Sequence, residues 1–336
     1  MHKTIKVLLI SWKSKSYFSL YPNDFVVRDL NILQKHYDVK LVEFAKVKDI
    51  LKVIPCIANV DLNIVWFGGK AAVAVALFSK LFRKKSIVIA AGADVARVPE
   101  INYGMMFSPL SRFFAKLSFQ CTDVVLAVSE STRRETLEHC NVDPEKVRTV
   151  LHGFDPKKYG SKGKKEELVL TVGGVSWGNL SRKGLETFVR SAKYLRNVKF
   201  VLIGAHQDDS ITYLKSIASP NVEFTDLIPF KELLRFMQRA RVYVQVSAHE
   251  GFGCSLAEAM LCECVPVVTK RGAIPEVVGE TGFYVPYNDP EQTAQKIKMA
   301  LASKKGKLAR MRIMERFPLE KRSRELRKII GMLTSK

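Results

Sequence analysis

Residues 250–268, which read EGFGCSLAEAMLCECVPVV, restrict the possible folds more than any other stretch of the chain. An apolar, strand-like run at 242–246 precedes them, and a second apolar run at 265–268 ends them. Between these runs, Gly251 and Gly253 form a turn, and apolar residues at helical spacing follow. The order of strand, glycine-rich turn, helix and strand is that of a βαβ unit, whose two strands lie parallel. We therefore predict an α/β fold.

The glycine-rich turn is also a candidate anion site. A helix that begins there presents unpaired backbone N–H groups and the positive end of its dipole, which together suit a phosphate. Glu250 and Glu258 flank this position, so the spacing fits a phosphate ligand with hydroxyl groups on both sides, as in a nucleotide sugar. The alternative explanation is structural: Ser255 and Glu258 match an S-x-x-E capping box, and the glycines match a tight turn. From the residues alone, both explanations remain open.

The run HEGFGCSLAEAM, followed in order by PVV and GAIPEVVG, resembles the E-x7-E signature of family-4-type retaining glycosyltransferases with the GT-B fold. The resemblance implies that Glu250 holds the hydroxyl groups of a donor sugar and that Glu258 holds those of the ribose. His249 is a further candidate contact, with a structural histidine as the alternative. The resemblance also implies that backbone groups bind the diphosphate at Gly253, Cys254, Ser255 and Leu256.

The same resemblance implies the GT-B fold, with two Rossmann-like domains whose parallel sheets face an interdomain cleft. Strand and helix patterns alternate in both halves of the chain, as such domains require. We expect an acceptor domain at 1–157 and a nucleotide-sugar domain at 158–315. A final helix at 316–336 is expected to pack back on the first domain. A polar run containing glycine, at 159–167, is the predicted linker.

A second candidate cluster begins after the first strand-like run of the second half. Gly173 and Gly174 follow this run directly, and Arg182, Lys183 and Gly184 are predicted to open a helix at the same edge of the sheet. A cation is needed there because a nucleoside diphosphate leaves readily only when its charge is stabilised. The resemblance assigns this role to Lys183. The family often has an arginine where Gly174 stands, and we expect Arg182 or another cation to compensate for it. A solvated helix start is the alternative.

Two loops of the first half follow predicted strands. The FGGK turn contains Gly68 and Gly69; it is not a P-loop, because G-x-x-x-x-G-K-[ST] is absent, and a plain turn is favoured over a ligand contact. The AAGAD loop places Gly92 and Asp94 where open α/β sheets bind ligands. Related transferases often have H-G-x-D in this loop with the histidine on the donor sugar, but Ala91 stands at that position. We assign an acceptor or sugar contact to these loops, with Asp94 as a turn residue the alternative.

The formal net charge of +21 indicates an anionic partner. No zinc-finger, basic-zipper or aromatic RNA-binding motif occurs in the sequence, so nucleic acid is not the expected partner. The expected partners are a UDP- or GDP-sugar and a glycan or lipid-linked acceptor. Residues 103–117 combine apolar side chains with Arg112 and Lys116, one helical turn apart. This pattern predicts contact with an anionic membrane surface, and an ordinary core-facing helix is the alternative.

The remaining expectations concern cofactors, location and reaction. The six cysteines show no C-x-x-C spacing and the sequence has no Asp-x-Asp pair, so neither disulfides nor a metal are expected. No apolar run reaches the roughly 20 residues that span a bilayer, which predicts a cytoplasmic protein, peripheral at the inner face of the membrane if residues 103–117 bind lipid. The predicted reaction is metal-independent hexosyl transfer with retained configuration. The alternative is a non-catalytic subunit that binds a nucleotide sugar or glycan.

Overall fold

A computed structural model of the protein describes residues 4–12, 25–44, 49–161 and 163–335. Of the predicted features, Lys162 in the linker and Lys336 at the end of the final helix lie outside these ranges. The chain divides into two compact units, one comprising Met1–Gly153 with Leu319–Lys336 and the other Phe154–Pro318. Across the described ranges, no helix is both long and apolar enough to cross a membrane.

The first unit contains a parallel sheet of six strands in the order β2-β1-β3-β4-β5-β6. Its strands are β1 (Lys6–Trp12), β2 (Asp38–Phe44), β3 (Leu62–Trp66), β4 (Lys85–Ala90), β5 (Val124–Ala127) and β6 (Val147–Thr149). Its first five helices are α1 (Phe25–Leu33), α2 (Ile50–Ala58), α3 (Lys70–Leu81), α4 (Pro109–Cys121) and α5 (Glu130–Cys140). Strand β3 is almost entirely apolar, and all of its residues are buried, as expected for a strand covered on both faces.

The second unit contains another parallel sheet of six strands, in the order β12-β11-β10-β7-β8-β9. Its strands are β7 (Glu166–Val172), β8 (Lys199–Ile203), β9 (Val222–Thr225), β10 (Ala240–Gln245), β11 (Val265–Thr269) and β12 (Phe283–Val285). Its helices are α6 (Trp177–Arg182), α7 (Leu185–Ser191), α8 (Ser210–Ile217), α9 (Phe230–Arg239), α10 (Cys254–Leu261), α11 (Ile274–Val278), α12 (Pro290–Ala302) and α13 (Gly306–Arg316). The predicted βαβ unit is β10, α10 and β11.

The last helix, α14 (Leu319–Thr334), belongs to the first unit, where a buried ion pair holds it. The Arg322 guanidinium donates to both carboxylate oxygens of Asp29 on α1, over 2.6 and 2.7 Å. Its remaining nitrogen donates to the carbonyl of Val150 over 2.8 Å, and its centre lies 5.8 Å from the Trp66 ring. Because both charged side chains are only 2% exposed, these hydrogen bonds are needed to offset their desolvation.

Candidate active site

A lysine–glutamate pair lies at the carboxyl edge of the second sheet. The Lys183 ammonium is 3.3 Å from a carboxylate oxygen of Glu250, and the Ser247 hydroxyl donates to the same oxygen over 3.0 Å. The two charged side chains are 19% and 11% exposed. Gly173 leaves room for the lysine, because a Cβ at this position would lie 2.7 Å from the Lys183 Cδ. The structure thus gives Gly173 a packing role beside the pair.

Burial and neighbouring charges shift the pKa values of both members. Burial raises the pKa of Glu250, but the cations of Lys183 and Arg182 and the Ser247 hydrogen bond outweigh it, so the pKa lies below its ordinary value. Burial lowers the pKa of Lys183, and Arg182 lowers it further, while Glu250 opposes the change. Glu250 is therefore a carboxylate at neutral pH, ready to accept hydrogen bonds from sugar hydroxyls.

The prediction that Arg182, Lys183 and Gly184 open a helix holds only for Gly184, because the two cations end the preceding helix. Arg182 is the last residue of α6, Lys183 caps that helix, and Gly184 is the N-cap of α7 with φ +64°. A Cβ on Gly184 would lie 2.3 Å from the carbonyl oxygen of Val246, so only glycine allows this approach to the end of β10. Lys183 thus lies at the junction of two short helices, and its ammonium reaches Glu250 from there.

Arg182 contacts its own helix and the segment that carries Glu250. Its guanidinium donates to the Asn179 side chain over 3.0 and 2.8 Å, and its carbonyl accepts from the Ala248 N–H over 2.8 Å. The second contact ties the end of α6 to the segment that carries Glu250. Arg182 therefore positions the backbone and adds positive charge near the Lys183–Glu250 pair.

The glycine-rich turn leads directly into α10. Gly253 is the N-cap with φ +97°, and the helix begins at Cys254. The capping-box explanation is therefore wrong, because Ser255 is the second helical residue and not the N-cap. Gly253 has no side chain to pair with the first amides, so the N-terminal backbone N–H groups of α10 face the turn. N–H groups arranged in this way can bind an anion.

Two aromatic residues that the sequence did not single out support this turn and helix. The Tyr159 hydroxyl donates to a carboxylate oxygen of Glu258 over 3.1 Å, and both residues are buried. Phe252 lies between the rings of Phe154 and Phe317, with centroid distances of 6.0 and 5.2 Å. The turn is consequently fixed by ring packing, and Glu258 by a hydroxyl from a distant part of the chain.

Gln245 is a further polar group beside the turn. It is 4% exposed, and neither end of its amide has a hydrogen-bond partner within the parts of the chain that the structure describes. Its amide nitrogen lies 3.1 Å from the position that a Cβ of Gly253 would occupy. The sequence contained a signal for Gln245, namely a glutamine inside the buried run VYVQV. Buried polar side chains almost always have hydrogen-bond partners, so such a glutamine is expected to bind something. The amide is placed to bind a ligand held at the turn.

Other predicted contacts have clear positions in this unit. His249, next to Glu250, is 5% exposed. The Leu256 side chain on α10 is fully buried, so only the backbone of Leu256 could contact a ligand. Cys254 is partly exposed at the helix start. Gly174 lies beside Gln207, whose amide nitrogen would be 3.0 Å from an added Cβ.

The two predicted loops of the first unit meet at Asp94. This carboxylate is fully buried and accepts the backbone N–H groups of Gly68, Ala91 and Gly92 over 2.8, 3.0 and 2.9 Å. Gly68 is also required by packing, because a Cβ there would lie 2.5 Å from Phe119 Cζ. Gly69 has φ +132° and precedes α3. The structure brings all four predicted loop residues together, with Asp94 as the residue that joins the loops.

Asp94 should make stability depend on pH. Burial raises its pKa from 3.8 to about 6, against the lowering effect of the backbone N–H groups. Because the folded pKa exceeds the unfolded one, the stability that Asp94 contributes is fully present below about pH 4 and is lost as pH rises through 6. Asparagine does not titrate, so Asp94→Asn lacks this loss. We expect the difference in free energy of unfolding, variant minus wild type, to increase by about 2 kcal/mol between pH 4.5 and 7. Urea titrations measure this, with exposed Asp143→Asn as control; a constant difference would refute it.

Within residues 4–12, 25–44, 49–161 and 163–335, no three histidine, cysteine, aspartate or glutamate side chains are grouped so that they could hold a metal ion. The donor-side candidates are instead a cation, two carboxylates and the start of a helix. Lys183 and the first backbone amides of α10 are groups in this unit whose charge suits a bound anion.

Comparisons with known proteins point to one family. Residues 166–303 match the model of the family described as glycosyl transferases group 1. Alpha-maltose-1-phosphate synthase of Mycolicibacterium smegmatis is 26% identical over 216 residues, which cover 57% of this chain and 56% of that protein. N-acetyl-alpha-D-glucosaminyl L-malate synthase of Bacillus anthracis is 23% identical over 335 residues, covering 92% and 83%.

A third relative is the N-acetylgalactosamine-N,N'-diacetylbacillosaminyl-diphospho-undecaprenol 4-alpha-N-acetylgalactosaminyltransferase of Campylobacter jejuni. It is 23% identical over 227 residues, covering 62% of this chain and 58% of that protein. The chain thus spans a little over half the length of this relative and of the Mycolicibacterium synthase.

Solved structures confirm the predicted α/β fold of the GT-B type. Anabaena Alr3699/HepE, crystallised with UDP and glucose, superposes with a TM-score of 0.79 at 17% identity, covering 98% of this chain and all of that one. Sucrose-phosphate synthase from Thermosynechococcus elongatus superposes with a TM-score of 0.76 at 16% identity, covering 98% and 99%. At these identities the likeness concerns the fold.

Proposed function

Because the chain resembles the group 1 glycosyl transferases and has the GT-B fold, we propose that it transfers a hexose from a nucleotide-diphosphate sugar to an acceptor. We propose retention of anomeric configuration and independence from metal ions. The observation that carries the proposal is the Lys183–Glu250 pair beside the helix start at Gly253. This pair lies in the region that matches the family, and it combines a cation for phosphate with a carboxylate for sugar hydroxyls.

The donor is proposed to lie along the turn and α10. The backbone N–H groups at the start of the helix bind the diphosphate, with the Gln245 amide as an added donor. Glu258, oriented by the Tyr159 hydroxyl, accepts hydrogen bonds from the ribose. Glu250 accepts those of the sugar. A UDP-sugar is the first donor to test because Alr3699/HepE was crystallised with UDP, and a GDP-sugar is the second.

The proposed chemistry is a substitution at the anomeric carbon. The bond from this carbon to the diphosphate oxygen breaks, and a bond to the acceptor oxygen forms on the same face. The acceptor proton moves to the departing phosphate oxygen. Lys183 and the helix amides stabilise the negative charge that develops on the diphosphate. We assign Glu250 the role of a hydrogen-bond acceptor for the sugar, with Lys183 and Ser247 holding one of its oxygens in place.

Binding of the donor nucleotide can be tested before any acceptor is known. A nucleotide that binds only the folded protein adds about 2.7 kcal/mol to the free energy of unfolding when present at 100 times its Kd. We expect UDP and GDP to differ in how much they raise the melting temperature. In Glu258→Ala, the same rise should need at least ten times more nucleotide. The shift should persist in EDTA. If no nucleoside diphosphate stabilises the protein, the donor assignment fails.

A non-catalytic binding subunit is the second candidate function. Ala91 supports it, because this residue stands where related transferases often have a sugar-contacting histidine, and it offers only a backbone N–H, which Asp94 already accepts. Such a subunit would bind the nucleotide sugar without turnover. Hydrolysis or transfer of a UDP- or GDP-sugar by the pure protein would exclude this alternative, and an NMR spectrum of the product would give its anomeric configuration.

We further propose that the protein works at the inner face of a membrane and uses a glycan or lipid-linked acceptor. In residues 103–117 the helix α4 begins only at Pro109. Leu110 and Phe113 are 59% and 58% exposed on neighbouring positions of this helix, and Arg112 is exposed on the same turn. Apolar side chains flanked by a cation suit the surface of an anionic bilayer. Sedimentation with phosphatidylglycerol vesicles tests this, since a protein left in solution at low salt would contradict it.

A further inference from the structure

The first unit contains an apolar pocket whose described lining residues all belong to that unit. Its volume is about 450 Å³, within the range of small-molecule sites. It lies at the carboxyl ends of three neighbouring strands, since Trp12 ends β1, Phe44 ends β2 and Trp66 ends β3. The side chains that form its apolar walls are Trp12, Phe44, Trp66, Phe67, Met105 and Phe114.

One end of this pocket is suited to an anion. The pocket is lined there by the first residues of α3, Lys70, Ala71 and Ala72, whose N-cap Gly69 provides no capping side chain. The Lys70 ammonium lies 5.2 Å from the centre of the Phe114 ring and is exposed to solvent. Early helical amides and a cation therefore meet at the rim of an apolar cavity.

A buried polar atom on the wall gives a second indication of a ligand. Trp66 is 2% exposed, and its indole N–H has no hydrogen-bond partner in the described part of the chain. Indole nitrogen normally finds an acceptor when it is buried. Trp66 itself lines the pocket, so an occupant of the pocket would lie against a residue with an unsatisfied donor.

The wall chemistry favours a lipid over a sugar as the occupant. A sugar buried here would need a partner for each hydroxyl, because an unpaired buried polar group costs about 1 to 3 kcal/mol. The Asp94 carboxylate lines the pocket but already accepts three backbone N–H groups. Ser111 is the single hydroxyl side chain among the lining residues that the structure describes. An apolar chain needs no such partners and gains free energy from burial.

The surface beside the pocket continues this chemistry. Helix α4 contributes Ser111 and Phe114 to the wall and also carries the exposed Leu110 and Phe113. Arg112 is exposed on the same turn of this helix. A lipid chain longer than the pocket would therefore extend from the part of the wall formed by α4 onto an exposed apolar and basic surface of the same helix.

We propose that this pocket binds the acceptor, and that the acceptor is a lipid phosphate: its chain occupies the apolar pocket, and its phosphate lies at Lys70 and the start of α3. The role of this ligand as the acceptor rests on the proposed glycosyl transfer. The binding itself can be measured without any transfer. The lipid phosphate is recognised by two features together, so neither a neutral lipid nor free phosphate should bind comparably.

The test titrates the full-length protein with farnesyl phosphate, farnesol and inorganic phosphate while following tryptophan fluorescence. Two of the three tryptophans, Trp12 and Trp66, line the pocket, and the background variant Trp177→Phe removes the third. We expect saturable binding of farnesyl phosphate, at least tenfold weaker binding of farnesol, and none of phosphate.

Three variants assign this binding to the pocket. Ala93→Phe, which fills the pocket from a half-buried wall position, should abolish the binding of both farnesyl compounds. Lys70→Gln should weaken farnesyl phosphate about tenfold and leave farnesol unchanged. Lys80→Gln, at the exposed far end of α3, is the matched control and should change neither affinity.

Each outcome separates the pocket from the donor site. Equal affinity for the alcohol and the phosphate, or full binding by Ala93→Phe, would overturn the inference. No farnesyl phosphate binding with an intact nucleotide-induced thermal shift would overturn it and leave the proposed function standing. Pocket binding without any nucleotide shift would support the lipid site and refute the glycosyltransferase proposal.

Discussion

Replacing Lys183 by methionine is expected to lower kcat for glycosyl transfer by about 10² to 10³, the range seen when one charge-stabilising group is removed from a reaction centre. The ammonium lies 3.3 Å from Glu250, so its loss leaves the leaving diphosphate to be stabilised by the backbone amides of α10, the Gln245 amide and the more weakly placed charge of Arg182. Rates of sugar transfer or donor hydrolysis measure the effect. Lys193→Met is the control, because Lys193 is exposed in the same unit.

The same substitution should also lower stability, and this effect must be separated from the catalytic one. Methionine leaves the largely buried Glu250 carboxylate without its nearest cation, which should cost about 3 kcal/mol of the free energy of unfolding. The double variant Lys183→Met with Glu250→Gln removes the unpaired charge. We expect it to regain most of the stability and none of the activity. A single variant with kcat within threefold of wild type would show that another group stabilises the diphosphate.

Asp29→Ala is expected to lower the free energy of unfolding by about 3 to 5 kcal/mol, the largest effect on stability that we predict. The substitution leaves the Arg322 guanidinium buried on α14 with two backbone carbonyls but no counter-charge. Urea unfolding followed by tryptophan fluorescence reports the loss, since Trp66 lies 5.8 Å from the guanidinium.

Two variants make this result interpretable. Glu325→Ala removes an exposed partner of Arg324 on the same helix, and we expect a change below about 0.5 kcal/mol. Asp29→Leu with Arg322→Met removes both charges and should recover part of the stability. Recovery should be incomplete because the carbonyls of Val150 and Leu151 lose their donor. A loss below about 1 kcal/mol in Asp29→Ala would show that the pair does not anchor α14.

Local patterns determined the elements around the turn. The apolar runs at 242–246 and 265–268 are observed as β10 and β11, and the intervening helix is α10. Strands buried on both faces are nearly continuous apolar runs, and glycines permit the turn between strand and helix, so neighbouring residues suffice to recognise both. The same residues could not decide between a capping box and a backbone anion site, because that choice depends on where the helix begins.

The contacts that define the candidate sites were beyond such patterns. Lys183 pairs with a glutamate 67 positions away, Tyr159 with one 99 positions away, and Arg322 with an aspartate 293 positions away. Residues 182–184, predicted to open a helix, instead join the end of α6 to the start of α7, where Gly184 packs against the Val246 carbonyl.

By itself, the sequence determined the α/β fold, the βαβ unit with its glycine-rich turn, and the residue types placed around that turn. The tertiary structure alone decided which of those residues meet: that Lys183 faces Glu250, that Asp94 joins two loops, and that an apolar pocket forms at the ends of β1, β2 and β3. The physical reason is that periodicity records the local burial of each element. Which side chains share an edge depends on the order of strands in the sheet, where β10 pairs with β7 and β1 lies between β2 and β3.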